Sequence, residues 1–211
     1  MTKVKNELRM PSLSDLESSL RGKRFLGKMM GVHGPSTPRG LQIADGYVRL
    51  VEKTILEYES SRKEMLSFMV DGTFDSYCRA QDHFETCVQS LHRAIIYLDR
   101  LRRMGLRQSD GTTFVPRPSE LEVLNQGVIR QVGDIRDACE HLDKDIISGK
   151  IPEDAEVAVH LGWKCASLAG KDICYHNISR WIIQLHNFAV PLSRVELVVS
   201  SSAIDHKGKD A

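Results

Sequence analysis

The sequence predicts a mainly α protein, in which an antiparallel helical bundle is followed by a small β-hairpin or meander and a closing C-terminal helix. Apolar residues recur at helical spacing in three long segments between residues 41 and 150. The stretch from 155 to 177 instead alternates apolar and polar residues, which is typical of short strands. The predicted regions are a basic flexible N-terminal arm (1–40), the helical bundle (41–150), the hairpin with the last helix (151–200) and a disordered tail (201–211).

The first long helix is predicted to begin at Leu41, and a turn at GTFDS separates it from the second. The second helix runs for about 30 residues and ends in a basic last turn closed by Gly105. The third is predicted to have Ser119 as its N-cap and to end before Gly149. After the hairpin, the stretch ISRWIIQLHNFAVPLSRVELVV predicts a last amphipathic helix, within which Pro191 favours a kink.

The N-terminal arm differs from the remainder of the chain in charge. Residues 1–40 hold eight Lys or Arg against three Asp or Glu, a charge of +5 that leaves −4 for the rest. A short helix is predicted over Ser14–Leu20, and the stretch GVHGPSTPRG that ends at Gly40 predicts a linker. Such an arm is typical of a flexible, solvated tail, and contact with RNA or a partner is the alternative.

Composition and cysteine usage predict a cytoplasmic protein. Hydrophobic residues make up 41% and charged residues 27% of the chain, and the net charge of +1 excludes a global electrostatic attraction to nucleic acid. The five cysteines form no C-x-x-C pair, which predicts free, mostly buried thiols and neither a disulfide framework nor a zinc site. No apolar run approaches membrane-spanning length, so no membrane association is expected.

The stretch DIRDACEHLDKDI in the third helix combines an arginine and a histidine with several carboxylates. At about 100° per residue, Asp137 and His141 are surface neighbours, whereas Arg136 lies about 140° from His141. Arginine offers a fork that matches phosphate oxygens, and histidine titrates near neutral pH. The set is therefore a candidate phosphodiester-cleaving site.

An ordinary solvated helix face would show the same spacing. Arg136 with Glu140, and His141 with Asp145, are both pairs four residues apart that could form ion pairs along the helix. The spacing alone leaves both interpretations open.

The helical setting gives this stretch a family resemblance. A bundle of long helices with R-[N/D/H]-x3-H late in the bundle resembles the HEPN superfamily, and IRDACEHLDKDI fits that motif with Asp137 in the polar position after the arginine. The second-helix stretch AQDHFETCVQSLHRAIIYLDRL is similar to HEPN helices that pack against the motif helix. The resemblance covers residues 41–150.

The resemblance implies metal-independent RNA cleavage, without a cofactor, in a composite cleft of a homodimer. His141 would be the general acid or base in the attack of a ribose 2′-OH on the adjacent phosphorus. Arg136 would stabilise the phosphorane-like oxygens, and Asp137 would position groups around the cleft. The products would carry a 2′,3′-cyclic phosphate and a 5′-OH, because the nucleophile belongs to the substrate.

By the same analogy, the protein would be the toxin or effector of a bacterial defence or toxin–antitoxin system, with an antitoxin or another protein as a possible partner. The toxin branch that is silenced by adenylylation carries a tyrosine two residues after the histidine, where this chain has Asp143. That departure argues against this form of control. The alternative function is a catalytically inactive HEPN-like module that binds a protein partner or RNA.

Other residues are candidates for the same chemistry. A rival pair is formed by Arg180 and His186, although Trp181 follows this arginine where a polar residue is usual. Residues that could line the cleft, or simply belong to the helix surface, are Asp82, His83, Glu85 and Glu140.

No metal is expected. Asp137, His141 and Asp145 have the spacing of ligands on one helix face, but no second helix offers a matching E-x-x-H. The stretch GVHGPSTPRG is not a P-loop, because it lacks the G-K-[S/T] ending and no strand precedes it.

Overall fold

A computed structural model describes residues 7–29, 38–105, 114–150, 158–168 and 171–193. Within these ranges the chain is mainly helical, with a small three-stranded antiparallel sheet and a C-terminal helix, which confirms the predicted fold class. The helices are α1 (Leu20–Met29), α2 (Pro38–Asp71), α3 (Phe74–Arg103), α4 (Gln126–Ile147) and α5 (Tyr175–Ser193). The strands are β1 (His160–Leu161), β2 (Cys165–Leu168) and β3 (Lys171–Cys174), and the sheet order is β1-β2-β3.

The long helices α2 and α3 form an antiparallel hairpin that carries most of the core. Gly72, with a φ of +69°, makes the turn between them, and Gly105, with a φ of +64°, follows the end of α3 as the sequence predicts. The predicted apolar stripes face each other in this hairpin because a 3.6-residue period places them on one side of each helix. The buried residues of the pair include Tyr47, Val51, Tyr58, Met65, Phe84, Leu91, Ile95 and Leu98.

Helices α4 and α5 complete the bundle. The buried side chains of α4 are Val128, Val132 and Ile135, and this helix packs against α3. Helix α5 lies against α2, where the buried Tyr47 hydroxyl donates a hydrogen bond of 2.6 Å to the carbonyl oxygen of Leu185. This arrangement leaves the polar side of α4 on the surface, beside β3.

The start of the third long helix differs from the prediction. Ser119 lies within a short 3-10 helix, and α4 begins later, with the Asn125 side chain accepting a hydrogen bond of 2.8 Å from the Gly127 amide. Contacts with α5 hold the preceding segment out of the helix: the Val123 amide donates to the Gln184 side chain at 3.0 Å, and Glu122 pairs with Arg180. Tertiary contacts therefore override the capping signal at Ser119.

The described part of the N-terminal arm also differs from the expected flexible tail. Met10 and Leu13 are buried in the core, and the Arg9 amide donates a hydrogen bond of 2.8 Å to the carbonyl oxygen of Trp163 in the hairpin. The short helix expected over 14–20 is absent from those residues. Ser19 has a φ of +64°, which is incompatible with a right-handed helix at that residue, and α1 begins at Leu20.

The sheet follows the predicted meander, but two of its residues correct the cysteine prediction. Cys165 on β2 and Cys174 on β3 form a disulfide, whereas Cys78, Cys87 and Cys139 are free thiols. The pair is formed because the two cysteines are direct partners in the β2–β3 register. The pairing depends on this register, which the cysteine count and the missing C-x-x-C pattern do not indicate.

Some predicted segments lie outside the described residues. These are most of the linker (31–37), the start of the hairpin region (151–157), the end of the predicted last helix (194–199) and the tail (201–211). None of the described helices combines the length and the apolar character needed to cross a membrane.

Candidate functional site

A groove runs between the C-terminal half of α4 and strand β3. Its volume is about 540 Å³. The helix contributes His141 to it, and the strand contributes Lys171. Among the described residues, the lining consists of Asp137, Ala138, His141, Lys144, Asp145, Ser148, Lys150 and Lys171.

Three lysines and one histidine meet two aspartates in this groove. Lys150 forms an ion pair of 2.8 Å with Asp145, and the Lys171 ammonium donates a hydrogen bond of 3.2 Å to the carbonyl oxygen of Asp134. The pKa of Asp145 lies below its ordinary value, first because Lys150 donates to the carboxylate, and further because Lys150, His141 and Lys171 lie nearby. Because lysines outnumber aspartates among the described lining residues, this part of the groove favours an anionic ligand.

Arg136 does not line this groove. Its guanidinium forms an ion pair of 2.6 Å with Asp137 and a second ion pair with Glu140, one turn further along α4. Partial burial acts to lower the pKa of Arg136, but hydrogen bonds to both carboxylates and their charges outweigh it, so that the pKa is raised. Within one chain, the arginine of the motif is therefore engaged along its own helix, away from His141.

A second histidine lies beside Arg136. His92, on α3, faces α4 at Gly133, where a Cβ atom in place of the glycine hydrogen would lie 3.5 Å from the imidazole Nε2. Burial lowers the pKa of His92, and so does the nearby charge of Arg136, while Asp137 and Glu140 act to raise it. The imidazole is therefore held toward its neutral form at the seam between α3 and α4.

The same seam contains a carboxyl group and a thiol. Burial raises the pKa of Glu85, and the nearby charge of Asp82 raises it further. Burial, followed by the charge of Glu85, raises the pKa of Cys139 to about 12. A thiol with such a pKa stays protonated at neutral pH, so Cys139 is not an activated nucleophile.

The candidates for lining the cleft do not lie together in the groove. His83 on α3 is directed at α2, where its Nδ1 lies 2.7 Å from the Glu57 carboxylate. Glu140 is held by Arg136, and Asp82 is exposed on α3. None of these three residues is among the groove-lining residues.

The two residues of the rival pair, Arg180 and His186, also have different surroundings. Arg180 is exposed and forms an ion pair with Glu122, which in addition accepts a hydrogen bond of 3.2 Å from the Trp181 indole. His186 is buried, and its Nε2 lies 3.0 Å from the carbonyl oxygen of Glu17 in the N-terminal segment. Arg180 therefore connects α5 to the segment before α4, and His186 connects α5 to the N-terminal segment.

No group of three or more His, Cys, Asp or Glu among the described residues is arranged to hold a metal ion. Asp137, His141 and Asp145 share the groove, but Asp145 is committed to Lys150.

Comparison of the chain with protein-family models, curated proteins and solved structures returned no match.

The chemistry available in the groove is therefore anion binding next to an exposed imidazole. Lys144 lies three residues after His141, a spacing that places both on one helix face and is visible in the sequence. Lys171 could not be found in the same way, because it reaches the groove only through the packing of β3 against α4. His141 was predicted as a site residue, whereas the lysines around it were not.

Proposed function

We propose that this protein is a helical module that binds RNA through the groove between α4 and β3. One observation carries the proposal: Lys144, Lys150 and Lys171 line the same groove as His141. Lysine ammonium groups bind phosphate oxygens without reading base identity, and neutralising successive phosphates supplies most of the affinity of a nonspecific complex. The resemblance of the α4 sequence to HEPN motifs favours RNA as the polyanion.

The position of Arg136 favours binding over cleavage. In the cleavage scheme that the resemblance implies, Arg136 and His141 act on the same phosphate. Ion pairs to Asp137 and Glu140 instead hold Arg136 along its own helix, and it is not among the groove-lining residues. The alternative of an inactive binding module therefore has better geometric support within one chain than the nuclease does.

Fluorescence anisotropy with an end-labelled single-stranded RNA of 20 nucleotides tests the proposal, with potassium chloride varied from 50 to 300 mM. We expect Lys144→Ala and Lys171→Ala each to weaken binding roughly threefold to tenfold, and to reduce the slope of log K against log salt by about 0.7. Lys53→Ala is the matched control, since Lys53 is an exposed lysine of α2 outside the groove. Equal effects of all three substitutions would refute the proposal.

Cleavage remains a second candidate, because His141 is exposed in a groove that can hold a phosphodiester. In that case the imidazole would take the proton of the ribose 2′-OH or protonate the leaving 5′-oxygen, and Lys144 could stabilise charge on the phosphorus-bound oxygens. Incubation with RNA in EDTA, followed by mapping of the product ends, distinguishes the two functions. Cyclic phosphate ends that are lost in His141→Ala would establish the nuclease, and intact RNA that is nevertheless bound would establish the module.

A further inference from the structure

The disulfide and the groove share one strand. Cys174 ends β3, and Lys171 begins it. In the ladder with β2, Cys165 is opposite Cys174, and Leu168 is opposite Lys171. The covalent bond thus closes one end of a ladder of four residue pairs whose other end carries a groove lysine.

Noncovalent contacts also hold β3: Ile173 is buried in the core, and hydrogen bonds join the strand to α4. The Gln131 side chain donates a hydrogen bond of 3.0 Å to the carbonyl oxygen of Asp172, and Lys171 donates one of 3.2 Å to Asp134. Both Gln131 and Asp172 lie at the surface, where water competes for such hydrogen bonds.

Among the described strands, β3 lies at the edge of the sheet order β1-β2-β3 and pairs with β2. A short edge strand is weakly held unless packing or a crosslink fixes it. Both cysteines are only partly buried, so a small dithiol can reach the bond from solvent. The disulfide is therefore an accessible crosslink on the strand that positions Lys171.

We propose that the Cys165–Cys174 disulfide is a redox switch for the groove: it holds Lys171 in the lining when oxidised, and its reduction releases β3 and weakens the binding of RNA. This inference rests on the proposed function. The reductant is a dithiol, which donates two electrons and two protons. One of its thiolates attacks a cysteine sulfur, the S–S bond breaks, and the other cysteine leaves as a thiolate that takes up a proton. The second thiol of the reductant then displaces the first cysteine, so that a cyclic disulfide and two protein thiols remain.

The experiment compares the full chain in its oxidised form with the same protein reduced by dithiothreitol. Hydrogen–deuterium exchange of β3 is measured without RNA, and anisotropy with the 20-nucleotide RNA is measured at 100 mM salt. On reduction we expect the amides of β3 to exchange at least about tenfold faster. We expect the Kd for the RNA to rise roughly threefold to tenfold, the effect of losing one lysine contact.

Variants separate the switch from general effects of the reductant. The double variant C165S/C174S should bind RNA like the reduced protein and should not respond to dithiothreitol. Lys171→Ala should bind weakly in both states, since the group that the switch moves is absent. Cys78→Ser, which removes a free thiol of α3, should keep the full response.

The outcomes distinguish the switch from the function on which it rests. Equal exchange of β3 in both states, with RNA binding intact and dependent on Lys171, would overturn the switch alone. Faster exchange on reduction, with no RNA bound in either state, would overturn both the proposed function and its redox control. Two thiols at Cys165 and Cys174 in air-oxidised protein, determined by mass spectrometry after alkylation, would also overturn the switch.

Discussion

Arg136 and His141 lie on different sides of α4, although only four residues separate them along the chain. Arg136 is paired with Asp137 and Glu140 and lies beside His92, whereas His141 lines the groove together with Lys144. The two residues that the sequence motif joins therefore belong to two different surroundings within one chain.

This separation predicts unequal effects of the motif residues on RNA binding. Arg136→Gln should leave the Kd for RNA within about twofold of the wild-type value, because binding energy comes mainly from groups that contact phosphate. The measurement is the salt titration by anisotropy, with Lys144→Ala as the comparison. A loss in Arg136→Gln as large as that in Lys144→Ala would instead show that Arg136 reaches the ligand, as the composite dimer cleft predicts.

The neighbourhood of His92 gives a prediction that requires no ligand. The charge of Arg136 contributes to the lowered pKa of His92, after burial, and the carboxylates of Asp137 and Glu140 oppose it. Arg136→Gln should therefore raise the pKa of His92, which NMR titration of the imidazole carbon-bound protons measures. Arg93→Gln is the control. It removes an exposed charge next to His92 in sequence. An equal shift of the His92 pKa in the two variants would contradict a specific interaction between Arg136 and His92.

The same histidine predicts how stability changes with pH. Its pKa in the folded protein is lower than the ordinary value of about 6.5, so the unfolded chain binds the proton more readily. The free energy of unfolding should therefore fall as the pH drops below about 6.5. In urea denaturation at pH 7.5 and pH 5.0, His92→Gln should lose less stability between the two values than the wild type. A variant with an unchanged pH dependence would assign the effect to other groups.

The sequence was sufficient for the helices that have long periodic patterns and insufficient where distant segments meet. The apolar spacing in α2 and α3 identified residues such as Tyr47, Leu91 and Ile95, which are buried. The packing of Met10 and Leu13 was not predicted, because a few apolar residues in a short basic segment do not indicate which distant part of the core they contact.

In the candidate site, too, residues on one helix could be related from the sequence, whereas contacts between distant segments could not. His141 and Lys144 share a helix face and could be paired from their spacing alone. Lys171 and Cys174 depend on the register of β3 and on its packing against α4, and His92 depends on the approach of α3 to Gly133. Such contacts are set by tertiary structure, so a motif search along the chain does not find them.

The disulfide predicts a stability difference that is independent of any ligand. Cys165 and Cys174 are nine residues apart along the chain, so their bond closes a short loop. Restricting the unfolded chain in this way stabilises the folded protein by about 2–3 kcal/mol for a loop of about ten residues. The midpoint of urea unfolding should therefore be lower for C165S/C174S than for the oxidised wild type. With dithiothreitol present the two proteins should agree, and a persisting difference would assign the loss to the serines themselves.

The beginning of α4 gives a direct comparison between the sequence pattern and the tertiary contacts. The Asn125 side chain caps this helix by accepting the hydrogen bond of the Gly127 amide, while Ser119, the cap that the sequence predicts, is exposed in a 3-10 helix. Asn125→Ala should lower the free energy of unfolding by about 1 kcal/mol, because it leaves an amide of the first turn without its partner. Ser119→Ala should change it by less than about 0.5 kcal/mol, as expected for a surface substitution that removes no cap. Chemical denaturation of both variants measures the difference. The reverse order would mean that α4 begins at Ser119 in solution, with Glu122 released from Arg180.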